Sequence, residues 1–201
     1  MKIIGLTGPS GAGKSYVASV FSANGAACIN ADAAARKAVV KGSGCLELLK
    51  KSFGDDILMT DGNLDRAVLA KRAFSSKQNT ELLNSITHPF IIDIILKELT
   101  FHRNNGADIA VIDAPQLFEA DLGVVCDITV GVLAEKNIRI NRIMKRDGID
   151  IDAANLRIAA SFSDDYFKEN CDIIIYNNGN IEELETAAVN VIQRIETEIE
   201  N

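Results

Sequence analysis

One stretch constrains the chain more than any other: Gly8-Pro9-Ser10-Gly11-Ala12-Gly13-Lys14-Ser15, which fits G-x-x-x-x-G-K-[ST]. Ile3-Ile4-Gly5-Leu6 before it is a short apolar run suited to a buried strand. Val17, Ala18 and Phe21 after it have helical spacing. Strand, glycine loop and helix in that order are the context this motif requires. Gly8, Gly11 and Gly13 allow backbone angles and close approaches that a side chain would block. Successive N–H groups can then converge on phosphate oxygens, helped by the positive end of the helix dipole. Lys14 is expected to reach the outer phosphates and the Ser15 hydroxyl to ligate Mg²⁺, so the sequence predicts a nucleoside triphosphate site.

A chain of 201 residues can bury a sizeable core and is most simply one domain, with room for an inserted subdomain. The net charge of −7 argues against a general binder of nucleic acids or membrane surfaces, which needs extended positive potential. Cys28, Cys45, Cys126 and Cys171 are far apart and form no C-x-x-C pair, so reduced, mostly buried thiols are expected. The chain enters the loop motif almost at once and has no long apolar run, so neither a signal peptide nor a membrane span is expected, and a cytoplasmic protein is.

Along the chain, Ala26–Ile29, Ile109–Asp113, Asp127–Val132 and Ile173–Tyr176 read as further strands. Helices are expected over 33–40, 45–53 with Gly54 as a stop, much of 64–103, 134–146 and 150–168. Asp61-Gly62 signals a turn, suited to a small hairpin, and Pro89 suits the first turn of a helix. The last helix carries Ile181, Leu184, Ala188, Val191, Ile192, Ile195 and Ile199 on one stripe. Strands alternating with helices predict an α/β fold, a three-layer α/β/α arrangement with a parallel five-stranded sheet. Ligands in such sheets bind at the carboxyl ends of the strands. The long helical block before the third strand exceeds what a crossover needs and reads as a substrate-covering insertion.

Asp32 follows the second strand, so its carboxylate can accept a proton from an attacking hydroxyl or orient it. It can equally cap a helix or pair with Arg36 at i,i+4. Asp113 ends a buried strand, where an acidic group serves Mg²⁺; a cap before Pro115 is the alternative. Arg139, Arg142 and Arg146 share one helix face, either as a lid bringing positive charge to a triphosphate or as a solvated surface. His88 and His102 have no metal-ligand spacing and read as structural.

The combination of blocks resembles the dephospho-coenzyme A kinases. Gly5-Leu6-Thr7-Gly8 leads into the loop, and Ala31-Asp32 with Arg36 is similar to the family's Asp-Ala-Asp-x-x-Ala-Arg. Leu83-Asn84 with His88-Pro89, Asp113 through Glu119, Arg142 through Asp147, and Asn177-Asn178-Gly179 match further blocks in order. The resemblance implies a phosphate-loop kinase that transfers phosphate from ATP to the ribose 3′-hydroxyl of dephospho-coenzyme A, a small-molecule acceptor, with Mg²⁺. It implies Asp32, Lys14 and Arg142 as catalytic residues. It assigns Gly8, Gly11, Ala12, Gly13, Lys14, Ser15, Tyr16, Arg142, Arg146 and Asn178 to ATP. It further assigns Asp32, Arg36, His88 and Glu119 to the acceptor, and Ser15 and Asp113 to the metal. The expected organisation is a single domain, 1–201, with a core of 1–32, 109–134 and 171–201, a helical substrate-binding insertion over about 33–108 and a lid over about 135–168.

The chain departs from the family pattern in places. Asn30 replaces the first acid, and Tyr16 stands where Ser or Thr is usual. In the lid, the usual Gln near Ser161 and the usual basic residue near Phe167 are missing, Asp164 and Asp165 are acidic, and Lys168 is a candidate substitute one residue away. A kinase of another small acceptor, or an ATP binder weakened in catalysis, are the alternatives these departures leave. A guanine-reading switch is disfavoured, because no Asn-Lys-x-Asp occurs.

Overall fold

The computed structural model describes the backbone of residues 1–200 and the side chains of 1–197, so Ile199 lies outside the described side chains. The core begins with β1 (Lys2–Thr7), the loop, α1 (Lys14–Ala23) and β2 (Ala27–Asn30). It resumes with β3 (Ile109–Asp113) and β4 (Ile128–Leu133), and closes with β5 (Ile173–Tyr176) and a last helix, Ile181–Glu200. The strands stand in the order β2-β3-β1-β4-β5, one sheet of five. β1 pairs in parallel with β3 and β4, and β4 with β5. β1 is therefore the middle strand, and the glycine loop after it emerges at the centre of the sheet's carboxyl edge. The register sets Asp113 opposite Leu6, level with the root of the loop.

One face of the sheet is covered by α1 and the last helix. Val17, Val20 and Phe21 meet Leu184, Ala188, Ile192 and Ile195 over Ile4, Leu6, Val111 and Val132. Burial of this continuous apolar layer is the main driving force for the core. The other face is closed so tightly by the 114–126 segment that a Cβ on Gly5 would lie 2.8 Å from both Leu117 and the Cys126 thiol. Strands buried on both faces explain the near-continuous apolar runs in the sequence.

The residues divide into two compact units, 1–29 with 101–201 and, by itself, 30–100. The second unit holds α2 (Ala31–Ala38), α3 (Gly44–Phe53), α4 (Arg66–Ala73) and most of α5 (Lys77–Asn104). Cys45, Leu49, Phe53, Ile57, Leu69 and Ala73 form its core. The hairpin signal at Asp61-Gly62 becomes a single antiparallel bridge, Leu58 with Leu64. Pro89 does not begin a helix; it lies inside α5. Leu83, Ile86, Phe90, Ile91 and Ile94 on both sides of it pack on the same core. That shared burial outweighs the backbone hydrogen bond the ring removes.

The first unit also carries α6 (Lys136–Asp147), α7 (Ile151–Ala159) and α8 (Asp164–Asn170). The helix expected over 150–168 is thus two. Ser163 ends the interruption by capping α8, its hydroxyl accepting from the Tyr166 N–H at 3.2 Å. We number the last helix α9. Among the described residues no helix is long and apolar enough to cross a membrane.

Candidate active site

The phosphate loop leaves β1 and enters α1 through three glycines with positive φ: Gly8 at 148°, Gly11 at 81° and Gly13 at 100°. Each is also held where a side chain would collide. A Cβ on Gly8 would run into the Val132 carbonyl of β4, and one on Gly13 into the Asn177 amide. One on Gly11 would sit 2.9 Å from the Arg139 carbonyl. Both backbone angle and close packing therefore demand glycine at these positions.

The loop is oriented from behind. Buried Asn177, just past β5, donates its amide N–H to the Ala12 carbonyl at 2.7 Å. Its own carbonyl accepts from an Arg142 guanidinium nitrogen at 3.0 Å, and a second Arg142 nitrogen lies 3.5 Å from the Gly11 carbonyl. In a trans peptide C=O and N–H point in opposite directions. Anchoring the Ala12 carbonyl on Asn177 thus turns the Gly13 N–H the other way. Among the described residues, the N–H groups of Gly13, Lys14 and Ser15 donate to no backbone carbonyl, while Ala12 donates to Pro9 at 3.1 Å. These open donors stand at the first turn of α1, the arrangement that binds anions. Asn177→Ala is expected to weaken ATP binding about tenfold and to lower stability by about 2 kcal/mol, since buried partners lose their hydrogen bonds. Calorimetric titration with ATP and a urea melt would read both. Asn178→Ala should change ATP affinity less.

Lys14 closes an ion pair with Asp113, their side chains only 12% and 8% exposed. Register brings this about: Asp113 ends β3 beside Leu6, and the Ala114 N–H donates to the Leu6 carbonyl at 3.0 Å. In this structure Asp113 is the buried counter-charge of the loop lysine. Ser15 is exposed at the same helix start.

The arginine face of α6 is not uniform. Arg139 is buried against Asp164, Arg142 turns to the loop, and Arg146 is exposed with a two-pronged contact to Asp147 at 2.8 Å. Tyr16 directs its hydroxyl to Glu185 of α9 at 3.1 Å and packs on the core. The exposed Asn178 accepts from the Glu135 N–H at 2.8 Å, which steadies the start of α6. Glu119 lies exposed in the segment after β3. Neighbouring protein strips part of its carboxyl's hydration and raises its pKa above the ordinary range.

In the second unit, the cap of α2 is Asn30, whose side chain accepts from the Ala33 N–H at 2.8 Å. Asp32 is exposed one residue into the helix, and among the described residues it makes no ion pair with Arg36. The capping and pairing alternatives for Asp32 therefore fall away. The same Asn30 that departs from the family pattern does the capping. Exposed Arg36 sits in the last turn of α2, and half-buried His88 lies within α5.

No cluster of three or more His, Cys, Asp or Glu is gathered for a metal among the described residues. All four cysteines are free. They are less buried than expected: Cys45 is buried, Cys126 and Cys171 are half-buried and Cys28 is exposed. Cys28 lies on β2 and the other two just before β4 and β5, at strand ends that reach the surface. Partial burial raises the Cys171 thiol to about 11 and the Cys126 thiol to about 12, so they stay protonated at neutral pH.

The contacts that two residues of this site make are not foreseen in the sequence. Asn177 belongs to the matched Asn177-Asn178-Gly179 block, but the resemblance assigns the ATP contact to its neighbour Asn178. Arg139 reads, with Arg142 and Arg146, as lid charge for a triphosphate or as a solvated face, and neither reading gives its burial against Asp164.

Comparison with known proteins agrees with this geometry. Residues 2–183 match the family model described as Dephospho-CoA kinase. The Dephospho-CoA kinase of Corynebacterium glutamicum is 40% identical over 192 residues, covering 96% of each chain. That of Corynebacterium diphtheriae is 40% identical over 200 residues, 100% of each. The solved Dephospho-CoA kinase from Campylobacter jejuni aligns at a TM-score of 0.71 and 25% identity, over 97% of this chain and 98% of that one. With a phosphate loop on the middle strand and matches that run nearly end to end, the chain belongs to the dephospho-CoA kinase family.

Proposed function

We propose that the loop of residues 8–15 holds the ATP phosphates while Asp32 serves the acceptor hydroxyl in the reaction of this family. The chain is an ATP-dependent kinase of dephospho-coenzyme A, phosphorylating the ribose 3′-hydroxyl to give coenzyme A and ADP in coenzyme A biosynthesis. The observation that carries the loop's part is the set of open N–H donors at Gly13, Lys14 and Ser15, aimed by the Asn177 anchor behind them.

Lys14 exchanges Asp113 for phosphate oxygens and stabilises the charge of the transferring group. Asp32 orients the ribose hydroxyl and takes its proton, a role supported by its exposure and its freedom from capping. Arg142 steadies the loop through Gly11 and adds positive charge beside it. Arg146, Asn178 and the Gly8–Tyr16 segment are assigned to ATP; Arg36, His88 and Glu119 are assigned to dephospho-coenzyme A, by their match to the family's blocks. The segment 33–108 covers the acceptor and 135–168 serves as a lid, within a single functional domain.

The donors fit Mg²⁺: the Ser15 hydroxyl and the Asp113 carboxylate are hard oxygens, and two protein ligands suit an ion that keeps waters and substrate phosphates in its shell. Mg²⁺ bound there supplies charge neutralisation of the phosphates. Four cysteines that form no disulfide support a reducing, cytoplasmic location, and the charge of −7 supports small-molecule rather than nucleic-acid partners.

The direct test is ADP release from ATP and Mg²⁺ with dephospho-coenzyme A, adenosine, AMP, uridine or no acceptor. Release stimulated by dephospho-coenzyme A is the expected result. Stimulation by another acceptor alone would overturn the substrate, and ATP binding with no stimulated release would mean a chain weakened in catalysis by its lid.

A further inference from the structure

Arg139 carries a contact that is energetically incomplete. It is 5% exposed, and one guanidinium nitrogen lies 3.2 Å from Asp164 Oδ1 at the start of α8. Yet Arg139 Nε, Arg139 NH1 and Asp164 Oδ1 are buried without a hydrogen-bond partner among the described residues. The pair meets a distance but not an alignment. A buried ion pair offsets its desolvation only when geometry is good and the remaining donors are satisfied, and neither holds here. Buried donors left open in this way call for an explanation.

The position supplies one. Arg139 is part of the wall of the phosphate loop: a Cβ on Gly11 would lie 3.1 Å from the Arg139 Cα. One helical turn on, Arg142 reaches the Gly11 carbonyl. The lid, meanwhile, lacks a basic group of its own where the resemblance leads one to expect it. Phe167 is buried at 2% exposure, and Lys168, the candidate substitute, is exposed and bonded to Asp165 at 2.9 Å. We infer that Arg139 is a phosphate-binding residue of this site, with Asp164 as its counter-charge until a polyphosphate ligand takes the two open donors. The inference rests on the reading of residues 8–15 as the ATP loop. The ligand chemistry is a phosphate oxygen, from the ATP triphosphate or from the diphosphate of dephospho-coenzyme A.

A competing carboxylate makes the prediction two-sided. With Asp164 neutralised, the buried guanidinium loses its counter-charge and gains more from a phosphate. With Arg139 made apolar, the guanidinium's desolvation cost disappears along with the binding, and Asp164, whose side chain is 36% exposed, can turn to water, unlike the buried Asp113.

The test uses the full chain and its Arg139→Met, Asp164→Asn and Lys14→Ala variants, each melted without ligand and titrated calorimetrically with ATP–Mg²⁺ and, separately, with dephospho-coenzyme A. Arg139→Met is expected to melt no lower than the parent and to bind at least one of the two ligands about tenfold or more weakly, the scale of a charged hydrogen bond. Asp164→Asn should melt lower and bind that same ligand about threefold or more tightly, as a lost competitor predicts. Weakening for ATP alone assigns the contact to the triphosphate, and for dephospho-coenzyme A alone to the acceptor diphosphate. Lower melting of both variants with affinities within about twofold of the parent, at the limit of an ordinary surface change, would reduce the pair to packing and overturn the inference. If Lys14→Ala weakens ATP while Arg139→Met does not weaken either ligand, the inference fails and the loop reading stands. Failure of the parent to bind ATP overturns both. Should Arg139→Met not fold, the direction of the Asp164→Asn affinity change decides alone.

Discussion

Lys14→Ala is expected to lower acceptor-dependent ADP release by about a hundred- to a thousandfold, the effect of removing a preorganised charge from a transferring group. The structure adds a complication that the motif does not. Lys14 is also the buried counter-charge of Asp113, so the substitution strands a carboxylate whose side chain is only 8% exposed. A stability loss of up to about 3 kcal/mol accompanies the kinetic one. Thermal melts separate the two: Lys14→Ala combined with Asp113→Asn should regain most of the melting temperature and none of the turnover. Turnover within about tenfold of the parent in the single variant, a loss smaller than any such group gives, would remove Lys14 from the chemistry.

Asp32→Asn is expected to reduce kcat at least about a hundredfold, the scale of general acid–base groups, with ATP affinity nearly unchanged. Its stability should stay within about 0.5 kcal/mol of the parent, because Asp32 is exposed and does not cap α2. The neighbour supplies the contrast. Asn30→Ala should cost about 1 kcal/mol through the lost cap while kcat changes little. A two-residue shift thus separates a structural asparagine from a chemical aspartate. If Asp32→Asn keeps half of the parent turnover, the proton acceptor lies elsewhere.

Much of this protein was legible in its sequence because the relevant forces act over a few residues. β3 and β5 fall on the expected strands, since short apolar runs bounded by turn residues pack as buried strands whatever surrounds them. The phosphate loop was legible for the same reason: three glycines whose backbone angles no other residue adopts freely, between a strand and a helix. Gly54 ends α3 as expected, with φ at 100°.

What the sequence could not contain is which distant side chains meet. The strand order β2-β3-β1-β4-β5 follows from global burial of both sheet faces. The anchor of the loop comes from Asn177, 165 residues away from Ala12, and the matched Asn177-Asn178-Gly179 block does not say which distant carbonyl its amide meets. Pro89 reads as a helix start until the core it packs on is seen to hold both sides of it. Arg139 reads as lid charge or as solvated surface, and only its contact with Asp164 of α8 shows that its donors are buried. Local propensity and periodicity therefore determined the elements and the loop. Tertiary packing alone decided the partners, because burial and hydrogen-bond satisfaction are properties of neighbours in space, not in sequence.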